Sequence, residues 1–235
     1  MEKNKSRIIM GANTAIQTYL RQYQALFGNE LYVSKDQAKN LDQTPNTLDS
    51  GNRDDLEQFR ISICLCQECP LGKTRTNFVF GVGDPNADLM LVGEAPGEQE
   101  DLKGEPFVGR AGKLLDDILR AIQKKRGQGV YIANVLKCRP PNNRDPLPSE
   151  VEKCEPYLVK QIEKIQPRLI VALGRVAGKT ILKMDVPLKE MREKTHDYHG
   201  TPLRVTYHPA ALLRNSNFKK PTWDDFQWVR DFLNN

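Results

Sequence analysis

Four of the five cysteines are spaced as ligands of a metal centre would be. Cys66 and Cys69 form a C-x2-C pair, and Cys138 and Cys154 follow far downstream with 15 residues between them. Four thiolates can bind a zinc ion or an iron–sulfur cluster. The downstream cysteines do not form the second C-x2-C pair of a zinc ribbon, and Pro70 directly after Cys69 is typical of cluster-binding sequences. The spacing therefore favours a cluster over zinc, and zinc over unliganded thiols.

The fifth cysteine, Cys64, lies just before this pair. Apolar residues at Leu56, Phe59 and Ile63 predict a helix that ends near the pair, where a Pro-Leu-Gly sequence stops it. Cys64 is close enough to replace Cys66 as a ligand. Its simplest interpretation is a buried thiol on that helix.

The segment from 88 to 112, DLMLVGEAPGEQEDLKGEPFVGRAG, is a second place where chemistry is expected. It begins with an apolar run that predicts a buried strand ending at Gly93. The GEAPG bend that follows can bring backbone N–H groups close to a ligand, with several acids directly after it. Phe107 is held between a proline and glycines, and could present a flat face to a planar ligand. We therefore expect a binding site here rather than a plain strand and turn.

The elements that would position these residues alternate between strand and helix. Apolar runs predict four buried strands, and their lack of polar alternation is typical of parallel strands covered on both faces. We predict a three-layer α/β/α sandwich around a central four-stranded, mainly parallel sheet. The strands are predicted at 89–92, 130–135, 169–173 and 203–207, and the helices at 111–125, 149–165, 176–183 and 223–233.

Parallel strands place their carboxyl ends at one edge of the sheet, where open α/β folds bind ligands. The GEAPG bend, the Gly174-Arg175 pair and the His208-Pro209 pair follow predicted strands, and Asn134 lies at the end of another. We expect them to converge there. The downstream cysteine Cys154 belongs to the helix that Ser149 and Glu152 are predicted to begin as a capping box.

One phosphate-binding motif is only approximate. Gly174 and the Gly178-Lys179-Thr180 triplet resemble a P-loop after a strand. The motif needs four residues between its glycines and this chain has three, so we do not expect nucleotide hydrolysis.

Composition sets broader limits. Lys and Arg number 35 against 30 Asp and Glu, a balance that permits an anionic partner without requiring one. The chain has no apolar stretch of about 20 residues and its start lacks the apolar core of a signal peptide, so we expect a cytoplasmic protein without membrane association. Residues 1–53 are predicted to be an N-terminal extension, with a helix at 14–27 followed by a polar, disordered stretch. Residues 54–235 are predicted to be the catalytic or binding domain.

Several motifs in order resemble the family 4, iron–sulfur-containing uracil-DNA glycosylases, over residues 54–235. They are CQECPL at 66–71, GEAPGEQED at 93–101, GEPFVGRAG at 104–112, YIANVLKCRPPNNR at 131–144, Leu173-Gly174, and YHPAALLR at 207–214. The resemblance implies removal of uracil from DNA by cleavage of the N1–C1′ glycosidic bond, which leaves an abasic site. It also implies a [4Fe–4S] cluster held by Cys66, Cys69, Cys138 and Cys154.

The resemblance assigns roles to the residues around a flipped base. Phe107 would stack on uracil, and the Asn134 amide would pair with the uracil edge and disfavour cytosine. His208 would donate a hydrogen bond to uracil O2 as negative charge develops. Glu94, Ala95 and Pro96 would line the base site, with backbone N–H groups near Ala95 contributing.

The group that orients the attacking water is left open by the resemblance. Other uracil glycosylase families have Asp where this chain has Ala95. Glu94 or Glu100 would orient water or stabilise the cationic sugar, with Asn143 as a hydrogen-bond partner of Glu100. Glu100 could instead exclude the methyl group of thymine.

The segment after His208 would contact DNA. Leu212 or Leu213 would enter the space left by the flipped nucleotide, while Arg214 and, from the preceding cysteine loop, Arg144 would approach phosphates. The expected partner is uracil-containing DNA, bound by a monomer associated with the nucleoid. Two alternatives stay open, a noncatalytic DNA-binding module and a glycosylase for hypoxanthine or xanthine, and the amide of Asn134 argues against both.

Overall fold

Four apolar runs form the parallel centre of a six-stranded sheet. The computed structural model describes residues 50–235, with side chains from residue 53 onward, so the helix predicted at 14–27 lies outside the described residues. The strand order is β1-β3-β2-β4-β6-β5, and β3, β2, β4 and β6 run parallel. The strands are β1 Val82–Gly83, β2 Leu89–Gly93, β3 Val130–Asn134, β4 Leu169–Leu173, β5 His196–Tyr198 and β6 Thr201–Thr206.

The predicted fold class is confirmed, with two edge strands added. All residues of β2, β3 and β4 are buried, which explains why their sequences do not alternate. The added strands β1 and β5 pair antiparallel with β3 and β6. They contain only two and three residues, too few for a recognisable sequence pattern.

Helices cover both faces of the sheet. They are α1 Ser50–Ile63, α2 Glu98–Lys103, α3 Arg110–Ala121, α4 Pro148–Ile165, α5 Arg175–Leu182, α6 Leu188–Met191, α7 Pro209–Arg214 and α8 Lys219–Asn234. Met90 and Val92 of β2 pack on the face covered by α1, α4 and α5. Leu89 and Leu91 of the same strand pack on the opposite face with α3 and α8. The alternation of side chains along one strand thus builds two apolar layers.

The predicted capping box was wrong. Pro148 is the first residue of α4, a position where a missing N–H does no harm. The third helical residue is therefore Glu150, and its Oε2 accepts a hydrogen bond from the Leu147 N–H at 2.9 Å. Ser149 and Glu152 do not form the cap. Within the described part of the chain, no helix is both long and apolar enough to cross a membrane.

Candidate active site

The carboxyl ends of the parallel strands open into a cleft of about 740 Å³. Most of the residues predicted for the site share this cleft, as the strand topology requires. Pro96, Leu213 and Arg144 are not among its lining residues. Those that line it are Glu94, Ala95, Glu100, Phe107, Asn134, Asn143, His208 and Arg214.

Asn134 is the last residue of β3 and is almost completely buried. Its backbone oxygen accepts a hydrogen bond from Lys137 Nζ at 2.7 Å, whereas its side-chain amide bonds to no residue that the structure describes. Gly93 pairs with it across the sheet, and a Cβ at position 93 would lie 2.3 Å from Asn134 Oδ1. The glycine therefore leaves room for an amide whose hydrogen-bonding groups are available to a ligand.

Phe107 forms a wall of the cleft next to His208. The two rings lie 5.5 Å apart with 29° between their planes, so one planar ligand can reach both. The backbone of Phe107 is left-handed, with φ of 54°, which is uncommon for an aromatic residue. Gly93 also makes room for this ring, since a Cβ there would lie 2.7 Å from its Cζ.

His208 caps the first turn of α7. Its Nδ1 accepts a hydrogen bond from the Ala210 N–H at 3.1 Å, so the neutral ring carries its proton on Nε2. Part of the ring is open to the cleft, but the surrounding protein desolvates it and, with Arg214, lowers the pKa of His208 to about 4, against an opposing effect of Glu100. At neutral pH the ring is thus an uncharged hydrogen-bond donor.

The two acids of the cleft differ in their surroundings. Burial, with a smaller effect of Asp145, raises the pKa of Glu94 from 4.5 to about 7. Glu100 Oε1 instead accepts hydrogen bonds from the N–H groups of Val108 at 3.0 Å and Gly109 at 3.3 Å. No hydrogen bond joins Glu100 to Asn143 among the described residues, and Asn143 Oδ1 accepts from Arg139 Nε at 2.8 Å.

The residues predicted to contact DNA at the rim of the cleft differ in their exposure and in their bonding partners. Leu213 is 45% exposed and Leu212 only 4%, so of these two only Leu213 is free to contact another molecule. Arg144 donates two hydrogen bonds, at 2.9 and 2.5 Å, to the buried carboxylate of Glu150. Its guanidinium therefore braces the start of α4.

The four predicted ligand cysteines line one small cavity, together with Tyr157 and Phe78. Arg75 Nη1 donates to Cys138 Sγ at 3.2 Å, and the Tyr157 hydroxyl donates to Cys66 Sγ at 3.2 Å. Burial raises the pKa of Cys138, and that of Cys154 to about 12, so both thiolates are costly without a bound cationic group. Cys64 is half-exposed rather than buried as predicted, and its Sγ bonds to the Ile61 oxygen at 3.3 Å.

Comparison with known proteins assigns a family to this arrangement. The family model for the uracil DNA glycosylase superfamily matches residues 80–227. The type-4 uracil-DNA glycosylase of Archaeoglobus fulgidus is 47% identical over 182 residues, which cover 74% of this chain and 91% of that protein. The type-4 enzymes of Sulfurisphaera tokodaii and Saccharolobus solfataricus are 44% and 43% identical, over 76% and 77% of this chain and 84% and 87% of their own lengths. The chain belongs to the type-4 uracil-DNA glycosylases.

The cysteine cavity of this type-4 family member fits an iron–sulfur cluster. Within residues 53–235, no three Cys, His, Asp or Glu side chains form a group that could hold a single metal ion. A tetrahedral zinc ion would draw its sulfurs to within about 4 Å of each other, whereas in a cluster each thiolate binds a different iron. Four thiols around one cavity are the donor set of a [4Fe–4S] cluster, which takes one thiolate for each iron.

Several residues that shape this glycosylase site carried no sequence signal. Arg126 bonds to the backbone beside Phe107. The fully buried Lys137 joins Asn134 to Gln161 Oε1 at 2.6 Å. Arg192 and Asp225 form a buried ion pair. Thr206 Oγ1 donates to Asp225 Oδ2 at 2.5 Å, and this bond fixes the end of β6 before His208. Only the contacts between distant segments reveal these roles.

Proposed function

We propose that this protein flips uracil out of DNA and hydrolyses its N1–C1′ bond, releasing free uracil and leaving an abasic site. One observation carries the proposal. A neutral histidine whose proton lies on Nε2, an amide without a described protein partner and an aromatic ring share one cleft. These are the groups needed to recognise a pyrimidine edge, to stack on its face and to stabilise its departure as an anion.

Asn134 supplies the recognition of the base edge. Its amide offers an acceptor and a donor side by side, which match the N3–H and O4 of uracil. Cytosine presents the opposite pattern at these positions, so the same amide disfavours it. Phe107 stacks on the base and holds it in the plane in which the amide can read it.

His208 supplies the stabilisation of the leaving group. As the glycosidic bond breaks, negative charge spreads over the uracil ring and its O2. The Nε2–H donates a hydrogen bond to that oxygen, and the strength of the bond grows as the charge develops. Since the Ala210 N–H holds Nδ1 as an acceptor, the ring keeps the required tautomer.

Glu94 is the proposed partner of the cationic sugar and of the attacking water. Its carboxylate lines the cleft without a hydrogen bond to any described residue. Glu100 is also proposed to contribute, but its Oε1 is already engaged by backbone N–H groups, so we assign it first to holding the segment that carries Phe107. Asn143 lines the same cleft, where its amide is oriented by Arg139.

The cysteine cavity is proposed to hold a [4Fe–4S] cluster through Cys66, Cys69, Cys138 and Cys154. When bound, the cluster supplies four iron–thiolate bonds that cross-link segments far apart in the chain. Arg75 and Tyr157 stabilise the thiolates by hydrogen bonds. That cross-link would hold the loop from 139 to 148, which contributes Asn143 to the cleft and Arg144 to its border.

DNA binding is proposed for the rim. Leu213 enters the space left by the flipped nucleotide, and Arg214 contacts a phosphate beside it. Arg144, which is partly exposed and paired with Glu150, is proposed as a second phosphate contact on the cysteine side. We further propose that residues 54–235 are the catalytic domain, that 1–53 are an extension, and that the protein acts as a cytoplasmic, nucleoid-associated monomer.

The proposal is tested with end-labelled oligonucleotides that contain one uracil, hypoxanthine, thymine or cytosine. After incubation, alkali cuts the strand at abasic sites. We expect scission of the uracil oligonucleotide alone, with a large loss for His208→Ala and none for His199→Ala, an exposed histidine outside the cleft. Binding without scission by metal-loaded protein would instead indicate a noncatalytic DNA-binding module.

A further inference from the structure

A single cation, the Arg126 guanidinium, binds the backbone carbonyls of Pro106 and of Phe107, the strained residue of the cleft. Arg126 Nη1 donates to the Pro106 oxygen at 2.8 Å, and Arg126 Nη2 donates to the Phe107 oxygen at 2.9 Å. The same guanidinium pairs with Asp116 of α3, with Nε 3.1 Å from Oδ1. Three hydrogen bonds therefore fix the orientation of a planar group that binds two successive carbonyls.

The Glu100 carboxylate binds the backbone on the C-terminal side of Phe107. Glu100 Oε1 accepts from the N–H groups of the two residues that follow it. The carbonyls of Pro106 and Phe107 thus contact a positive charge, and the N–H groups of Val108 and Gly109 contact a negative one. Both partners match the polarity of the groups they bind, so together they oppose relaxation of the left-handed backbone.

Arg126 is itself placed by a braced turn. Lys125 and Gln128 pair as an isolated bridge, and Gly127 and Gly129 have positive φ values. The Gly129 N–H donates to Asp84 Oδ2 at 2.7 Å. The Arg126 side chain is only 22% exposed, although it lies in a turn whose sequence looks like ordinary surface.

The ring has little freedom on its remaining sides. The Phe107 oxygen lies against α3 at Gly112, where a Cβ would come within 1.7 Å of it. The ring edge lies against Gly93 and its face against His208. A change at the two carbonyls must therefore move the ring relative to His208 and Asn134, the two groups that read and release the base.

We propose that Arg126 is a positioning residue for base binding, which acts through Phe107 by setting the angle and height of its ring in the cleft. The inference rests on the proposed uracil excision. Arg126 does not line the cleft, so its effect on the base must pass through the backbone that it binds. Loss of Arg126 should weaken binding of the free base and of the flipped nucleotide together.

The test compares Arg126→Gln and Arg126→Lys with Arg120→Gln in the metal-loaded full-length protein. Arg120 is a matched control, because it also pairs with an aspartate of α3, Asp117 at 2.8 Å, but is fully on the surface. Two quantities are measured for each variant: the single-turnover rate of uracil release, and the inhibition constant of free uracil, which reports the base site without DNA. Thermal unfolding checks that each variant is folded.

For Arg126→Gln we expect a loss of about 10- to 100-fold in the single-turnover rate of uracil release at subsaturating protein, as two charge-assisted hydrogen bonds to the backbone imply. The inhibition constant of uracil should rise with it. Arg126→Lys, which keeps the charge and can bind one carbonyl, should lie between wild type and Arg126→Gln. Arg120→Gln should stay within about twofold of wild type.

A double-mutant cycle with Phe107→Ala separates positioning from general stability. If Arg126 acts through the ring, Arg126→Gln should change the uracil inhibition constant less than about twofold once the ring is removed. Full additivity of the two substitutions would overturn the inference, as would an active Arg126→Gln that matches Arg120→Gln. A wild-type protein that releases no uracil would overturn the proposed function itself, and this inference with it.

Discussion

Glu94 is predicted to weaken the fold at neutral and higher pH. Its pKa is raised from 4.5 to about 7, first by burial and second by Asp145. The folded protein therefore binds this proton more tightly than the unfolded chain does. The free energy of unfolding should fall as the pH rises from about 4.5 to 7 and stay low above that range. Replacement by glutamine removes the charge and should relieve this cost.

The size of the effect follows from the same pKa. A rise from 4.5 to about 7 corresponds to about 3 kcal/mol. Since Glu94 is partly open to the cleft, solvent screens its charge, and we expect about 1–2 kcal/mol to remain. For a chain of this size that is an increase in Tm of about 2–8 °C for Glu94→Gln at pH 8. At pH 5 both side chains are neutral in the folded protein, and the Tm values should nearly coincide.

Thermal unfolding of wild type and Glu94→Gln at pH 5, 6, 7 and 8 measures this difference, in oligonucleotide-free buffer of constant ionic strength. Glu98→Gln is the matched control, because Glu98 follows in the same segment but its side chain is exposed. Its ion pair with Arg139 is long, at 3.9 Å. A Tm difference for Glu94→Gln that does not vary with pH would refute the reasoning. So would a decrease at pH 8, since it would mean that the charged form is stabilised in the cleft.

Four further predictions concern the other parts of the molecule. In a Glu94→Gln background the remaining uracil release should be level from pH 5.5 to 8, because His208 with its pKa of about 4 is neutral throughout; an inflection near 6.5 would contradict this. Cys154→Ser should lose the iron of the proposed cluster and lower the Tm by about 10 °C, whereas Cys64→Ser should keep the iron content and the Tm of wild type. Metal analysis and thermal unfolding measure the two quantities. Leu213→Ala should slow uracil release from duplex DNA about 10-fold without a change in Tm, while Leu212→Ala should cost about 2–5 kcal/mol in urea unfolding, since only Leu212 is buried. Asp225→Asn removes the buried carboxylate partner of Arg192, whose other partner Glu193 is exposed, and should cost about 3–5 kcal/mol; an unchanged urea midpoint would show that water compensates the charge.

The centre of the fold was predictable because its strands are long enough to have a pattern. The predicted strand at 169–173 agrees with β4 at both ends. The helix predicted at 223–233 begins earlier, at Lys219, because Pro221 is tolerated in a first helical turn. The helix predicted at 111–125 ends at Ala121, and Gln123 then turns left-handed with φ of 59°. Helix ends depend on such single backbone choices, which hydrophobic periodicity does not record.

The composition of the site was predictable for a different reason. Residues that end or directly follow parallel strands must meet at one edge of the sheet, so Asn134 and His208 could be placed together before any contact was known. The hydrogen-bond partners of the site residues could not be predicted. Arg126 lies 19 residues from Phe107 in a Lys-Lys-Arg-Gly turn, and Asn143 bonds to Arg139 rather than to Glu100. Such contacts depend on how loops fold back, and sequence distance carries no trace of it.

The amide of Asn134, proposed to read the base, and Cys138 of the cysteine cavity belong to one segment. Asn134 ends β3, and Cys138 follows it by four residues. Between them, Lys137 binds the Asn134 oxygen through its side chain, and its backbone N–H donates to Cys154 Sγ at 3.3 Å. The partner of the same lysine, Gln161, lies on α4, the helix that carries Cys154. The position of the amide in the cleft therefore depends on the packing around the cysteines, and a change at the cavity should alter the proposed base recognition without any direct contact with the base.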